Sequence, residues 1–115
     1  MSNEFVTGDT RTKLVQLEIN ELPFVIDPAS TVKAQIVNKE KTKALTTEPA
    51  KCLSTMTGAV WATSLIAVKF PRTTTADIKV TGVANLEIQV TLDPLGDPED
   101  FTFYIPITLA KGNLT

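Results

Sequence analysis

The stretch Leu86-Glu87-Ile88-Gln89-Val90-Thr91-Leu92 constrains the fold more than any other part of the chain. Leu86, Ile88, Val90 and Leu92 share one parity; Glu87, Gln89 and Thr91 share the other. Strict alternation puts the apolar set on one face of a strand and the polar set on the other, a separation that a helical period does not produce. A second alternating run follows. Phe101, Phe103, Ile105, Ile107 and Leu109 are in phase, with Thr102, Tyr104, Pro106 and Thr108 between them. Pro106 has no N–H to give a ladder, which predicts an edge position or a break. Between the runs lies Asp93-Pro94-Leu95-Gly96-Asp97-Pro98-Glu99-Asp100, dense in turn residues. Two strands around a turn cluster predict a long hairpin.

The rest of the chain repeats the theme more weakly. Thr12–Ile19 alternates, with Val15, Leu17 and Ile19 directed to the core. Asn20–Pro23 supplies turn chemistry, and Phe24-Val25-Ile26 reads as a short edge strand closed by Asp27-Pro28. Thr31–Asn38 is a strand with Val32, Ala34 and Ile36 on one face. Asn38–Lys43 reads as a solvated hairpin tip. A basic contact loop is the alternative, and Glu40 among the lysines weakens it. Ala44–Thr47 and Ala50–Ser54 are two short strands, or one interrupted by Pro49. Val60–Phe70 reads as a strand ended by Pro71, since Val, Trp, Thr and Ile favour the pleated surface. Pro71–Asp77 is a crossing loop with room for a capped helical turn, followed by alternation over Ile78–Val80. These signals predict one all-β domain over residues 1–115, with loose ends near 1–8 and 110–115. The architecture expected is a two-layer antiparallel immunoglobulin-like β-sandwich of about seven to nine strands. The Cys-Trp-Cys arrangement of antibody domains is absent, so the likeness to them is architectural.

Composition narrows the chemistry. Lys and Arg total 11 and Asp and Glu 13, a net charge of −2, which argues against a nucleic-acid binder. The chain has no histidine, which removes Ser–His and Cys–His nucleophiles and histidine zinc sites. Cys52 is the only cysteine, so no intrachain disulfide forms; it reads as a small half-buried hydrophobe. Asp93, Asp97, Glu99 and Asp100 crowd one loop and raise the question of calcium, but the spacing is not that of an EF-hand. A solvated acidic turn is the plainer reading. The five glycines are scattered and form no phosphate loop. Trp61 lies in an apolar stretch and reads as core, whereas an exposed Trp61 would be a platform for a sugar. Tyr104 is off the apolar parity of its strand and reads as an ordinary surface tyrosine; a residue available for contact is the alternative. The sequence therefore predicts no catalytic, cofactor-binding or metal-ligating residue, and no enzyme. No basic leader precedes an apolar stretch at the N-terminus, and Ala59–Phe70 is too short to span a bilayer. Synthesis in a cytoplasm without membrane insertion is expected.

The order of these elements resembles the N-terminal domain of phage baseplate upper proteins and related small tail-structural domains. The likeness runs from Gly8-Asp9-Thr10, feeding Leu14–Ile19, through Asn20–Asp27 and Thr31–Val37. It continues with Val60–Phe70, Thr75-Ala76-Asp77, Gly82, Glu87-Ile88-Gln89-Val90-Thr91, and the closing strand with Phe103 and Ile105-Pro106-Ile107. Two departures are visible. Val25–Ser30 stands where that family carries an Asp-Leu-Thr-Gly segment, and the family's long C-terminal continuation is missing, as in a stand-alone version of the domain. The resemblance implies a non-enzymatic virion structural protein. It would contact other virion subunits, form symmetric homo-oligomers and use no cofactor. The alternative carried forward is a carbohydrate- or surface-binding module such as a receptor-binding domain.

Overall fold

The computed structural model describes residues 4–6, 11–46, 49–71, 81–92 and 95–110. Strand β1 spans Glu4–Val6, β2 Lys13–Gln16, β3 Thr31–Val37, β4 Leu65–Val68, β5 Gly82–Leu92 and β6 Glu99–Ala110. The described residues contain no α-helix; the one helical piece is a 3-10 turn at Trp61–Thr63. The protein is all-β.

The strong alternation of the two C-terminal runs becomes the β5–β6 hairpin, in register from Gly82↔Leu109 to Leu92↔Glu99. β3 joins the other side of β5, antiparallel, from Thr31↔Thr91 to Val37↔Asn85. Because side chains alternate between faces, this register stacks Val32, Val90 and Phe101 in one row across the sheet. Ala34, Ile88 and Phe103 form the next row, then Ile36, Leu86 and Ile105. A second sheet pairs β2 with β4, antiparallel, from Lys13↔Val68 to Gln16↔Leu65. One buried cluster draws on both sheets, with Ile36, Leu86 and Ile88 from the first and Ile66 and Val68 from the second. β1 adds parallel to β6 from Glu4↔Thr108 to Val6↔Ala110.

Several sequence expectations change here. Five strands pair antiparallel and β1 is a sixth, fewer than the seven to nine expected. Three short apolar segments account for much of the difference. Phe24–Ile26 is not a strand: the Phe24 N–H donates to Ser64 Oγ at 3.2 Å and the Ile26 N–H to the Trp61 carbonyl at 2.8 Å. Residues 44–46 and 49–51 form a strap between the sheets. Along it the Leu45 N–H donates to Ile36 O at 2.7 Å and the Ala50 N–H to Ala34 O at 2.8 Å. Lys51 then exchanges two bonds with Lys69, just past β4. Val60–Phe70 is not one strand either. Val60 and Leu65 bridge each other around the 3-10 turn, and only Leu65–Val68 is extended. Phe5 is 9% exposed and packs edge-on to Phe70 at 6.0 Å, and Ala110 belongs to β6. A three-residue strand carries too little periodicity to be seen in sequence. The turn and strand expected over Thr75–Val80, and the Gly8-Asp9-Thr10 element, lie outside the described residues.

Ser64 is what breaks the Val60–Phe70 run. It sits at φ 55° with no exposed surface. Its Oγ donates to the Leu17 carbonyl at 2.6 Å and accepts from the Phe24 N–H and, at 3.1 Å, from Gln16 Nε2. One hydroxyl thus ties the end of β2, the Phe24 segment and the 3-10 turn together. Removing it leaves buried polar groups without their partner, at about 1–3 kcal/mol. Ser64→Ala is therefore expected to lower the urea midpoint by that equivalent with an unchanged m-value, measured by Trp61 fluorescence. Ile19, expected inward, is instead 36% exposed. It is drawn into a tight turn with Leu22, in which Asn20 and Glu21 have φ of 54° and 67°. Both central residues are left-handed, as a type I′ turn requires, and glycine is favoured at the second. Glu21→Gly is expected to raise stability by about 0.5–1 kcal/mol, since relief of left-handed strain exceeds glycine's extra unfolded-state entropy. A midpoint that falls instead would contradict this.

Candidate interaction surface

The two long edges of the first sheet are treated differently by the chain. The β3 edge is closed by the strap described above. On the far side of β6, β1 covers only Thr108–Ala110. Along Glu99–Ile105 no described strand lies on that side. Successive residues of an antiparallel strand turn their N–H and C=O groups alternately to one neighbour and the other. Half the main-chain groups of this stretch therefore face away from β5, and no described main chain bonds to them.

The edge is bordered by apolar surface. Phe101, Phe103 and Ile105 are only half-buried. Phe24 stacks on Phe103 with centroids 5.8 Å apart and tilts against Phe101 at 6.4 Å. Leu22 and Val25, on either side of Phe24 in the chain, are 66% and 69% exposed. The sequence reading placed Phe24 in an edge strand and missed this aromatic triad. The available signal was that Phe24, Phe101 and Phe103 are three of the chain's five phenylalanines. Nothing in their spacing brings them together.

The outer face of the same sheet is polar and internally bonded. Gln35, Glu87 and Tyr104 are in register across β3, β5 and β6. Gln35 Nε2 donates to Glu87 Oε1 at 2.6 Å. The Tyr104 hydroxyl also bonds to Glu87, and this bond to a carboxylate holds the phenol above its usual range. Lys41 Nζ lies 4.7 Å from the centre of the Tyr104 ring. The Asn38–Lys43 tip that carries Lys41 is an ordered turn. Asn38 Oδ1 accepts from the N–H groups of Thr42 at 2.8 Å and Lys43 at 3.2 Å. A depression of about 270 Å³ borders this row, lined among others by Lys33, Gln35, Pro49 and Gln89. Its one carboxylate, Glu87, already accepts two hydrogen bonds.

Trp61 is 7% exposed, in the core as its apolar neighbours predict. It offers no open platform to a sugar. Asp93 lies outside the described residues, and Asp100 Oδ1 accepts from Thr91 Oγ1 at 2.6 Å. Among the described residues no cluster of acidic side chains and cysteine is arranged to hold a metal ion. None of their helices is long and apolar enough to cross a membrane. No family model matches the chain, and no curated protein matches it.

Cys52 is 4% exposed, and burial pushes its thiol up to about 12 from an ordinary 9.0. The thiolate is the reactive form, so native Cys52 is expected to resist a disulfide reagent at pH 8 and to react on unfolding. The shift also fixes a pH dependence. Between pH 9 and pH 12 the folded thiol keeps its proton while the unfolded thiol loses it, so stability present below pH 9 falls as pH rises. The slope approaches about 1.4 kcal/mol per pH unit. Cys52→Ala is expected to be less stable than the wild type at pH 7, with the gap narrowing above pH 9 in urea titrations. A gap independent of pH would show that the thiol titrates normally.

Proposed function

We propose that this chain is a non-enzymatic structural protein that acts through protein–protein assembly contacts, of the kind found in phage tails and baseplates. In this reading its two sheets are the layers of an immunoglobulin-like sandwich, and its partners are other virion subunits and further copies of itself. The observation that carries the reading is the β6 edge. The main-chain donors and acceptors of Glu99–Ile105 that face away from β5 bond to no described main chain, and beside them lie half-buried Phe101 and Phe103 and exposed Leu22 and Val25. Soluble proteins usually blunt such an edge, and an unblunted one is a template for another chain. The phage setting rests on the order of sequence elements alone.

The second reading, a carbohydrate- or surface-binding module, keeps Tyr104 as its only aromatic. Tyr104 is 39% exposed, but Lys41 lies over its ring. Light scattering behind a sizing column, at several loading concentrations, tests the first reading. A defined species larger than the monomer is expected, or retention of the chain by the proteins encoded beside it. A monomer at every concentration that binds none of those proteins would overturn it. A glycan-array signal abolished by Tyr104→Ala would move the assignment to the second reading.

A further inference from the structure

The stretch of β6 that no described strand covers on its far side, Glu99–Ile105, has its midpoint at Thr102. Pro106 shows which groups face outward. It is in register with Asn85 and has no N–H to offer β5. A strand accommodates proline where its nitrogen faces away from the ladder. Residues of the same parity, Asp100, Thr102 and Tyr104, then turn their N–H and C=O groups to the open side.

We propose that two copies of this chain pair through this edge, β6 of one antiparallel to β6 of the other about a two-fold axis at Thr102. This rests on the assembly reading above and names the partner of that edge. The residues along the stretch favour this occupant. Antiparallel pairing about Thr102 sets Phe101 opposite Phe103 of the second copy, beside the face where Phe24 already stacks. On the other face Thr102 meets Thr102, and Asp100 meets Tyr104. The two charges of the stretch, Glu99 and Asp100, both lie at one end. Antiparallel pairing sends them to opposite ends of the joint, against Ile105 and Tyr104, whereas parallel in-register pairing would place acid on acid. No lysine occurs within Glu99–Ile105 to resist pairing. The strap over β3 shows that the chain closes the other edge of this sheet with its own residues. The symmetric contact buries the same patch twice, as a closed dimer requires.

The central position gives a direct test. Opposed residues of a hydrogen-bonded antiparallel pair have Cα atoms about 5.5 Å apart, inside the span a disulfide bridges. Thr102→Cys is expected to form a covalent dimer with oxidised glutathione as the oxidant. Lys33→Cys, exposed on the same face but on β3, is expected to form no covalent dimer. Native Cys52 is buried and does not compete. Thr102→Pro removes an outward N–H at a parity where β6 already holds a proline. Light scattering should show the wild type at twice the monomer mass and Thr102→Pro at the monomer mass, with unchanged far-UV circular dichroism. A dimer that survives Thr102→Pro, or equal cross-linking at both cysteine positions, overturns this joint and leaves the assembly reading standing. A wild-type monomer retained by neighbouring proteins does the same. A wild-type monomer that binds nothing overturns both.

Discussion

β5 is flanked on both sides, by β3 along Asn85–Thr91 and by β6 along its whole length. Its inward residues Leu86, Ile88 and Val90 have no exposed surface. Because the period is two, slipping either neighbour by one residue would turn an entire apolar row out to solvent. The register of β5 therefore decides which side chains of β3 and β6 meet the second sheet. It also decides which polar groups meet on the outer face. Gln35, Glu87 and Tyr104 can share hydrogen bonds only because that register aligns them.

The two sheets are joined by few, well-placed bonds. The strap at 44–46 and 49–51 bonds to β3 at one end and to Lys69 at the other. At the opposite end of β4, within the second sheet and its adjoining loop, a left-handed backbone lets the Ser64 hydroxyl reach Leu17 and Phe24. A β-branched or bulky residue would resist that φ, whereas a serine tolerates it while supplying the donor and acceptor. The apparent defect in the Val60–Phe70 run is thus the device that orients β4 against β2.

Legibility in the sequence followed the length of the alternating pattern. β5 and β6 were plain because seven and nine residues keep phase, and the turn cluster between them joins a hairpin as expected. β3 was equally clear. Val60–Phe70 was misread because β-branched composition cannot reveal a single left-handed residue whose partners lie 40 and 47 positions away. Ile19 was misread because the alternation of Thr12–Ile19 runs on past the point where Asn20 and Glu21 reverse the chain. The β6 edge was half legible. Pro106 flagged an edge, but the aromatic contact of Phe24 with Phe101 and Phe103 depends on a loop path that no periodicity encodes.

The balance of satisfied and unsatisfied groups separates the surfaces. On the outer face, Glu87 accepts from Gln35 and Tyr104, Asp100 from Thr91, and Lys41 rests on an aromatic ring. A ligand arriving there must displace bonds that already exist, so each contact it makes returns little net free energy. Along Glu99–Ile105 the main-chain groups that face away from β5 meet no described main chain, and the adjoining phenylalanines are only half-buried. A strand arriving there replaces water at both, gaining apolar burial as well as a ladder. On the proposed assembly reading a partner strand therefore gains more at the edge than a ligand gains at the face, which is why that reading rests on β6 and not on the polar row and its depression.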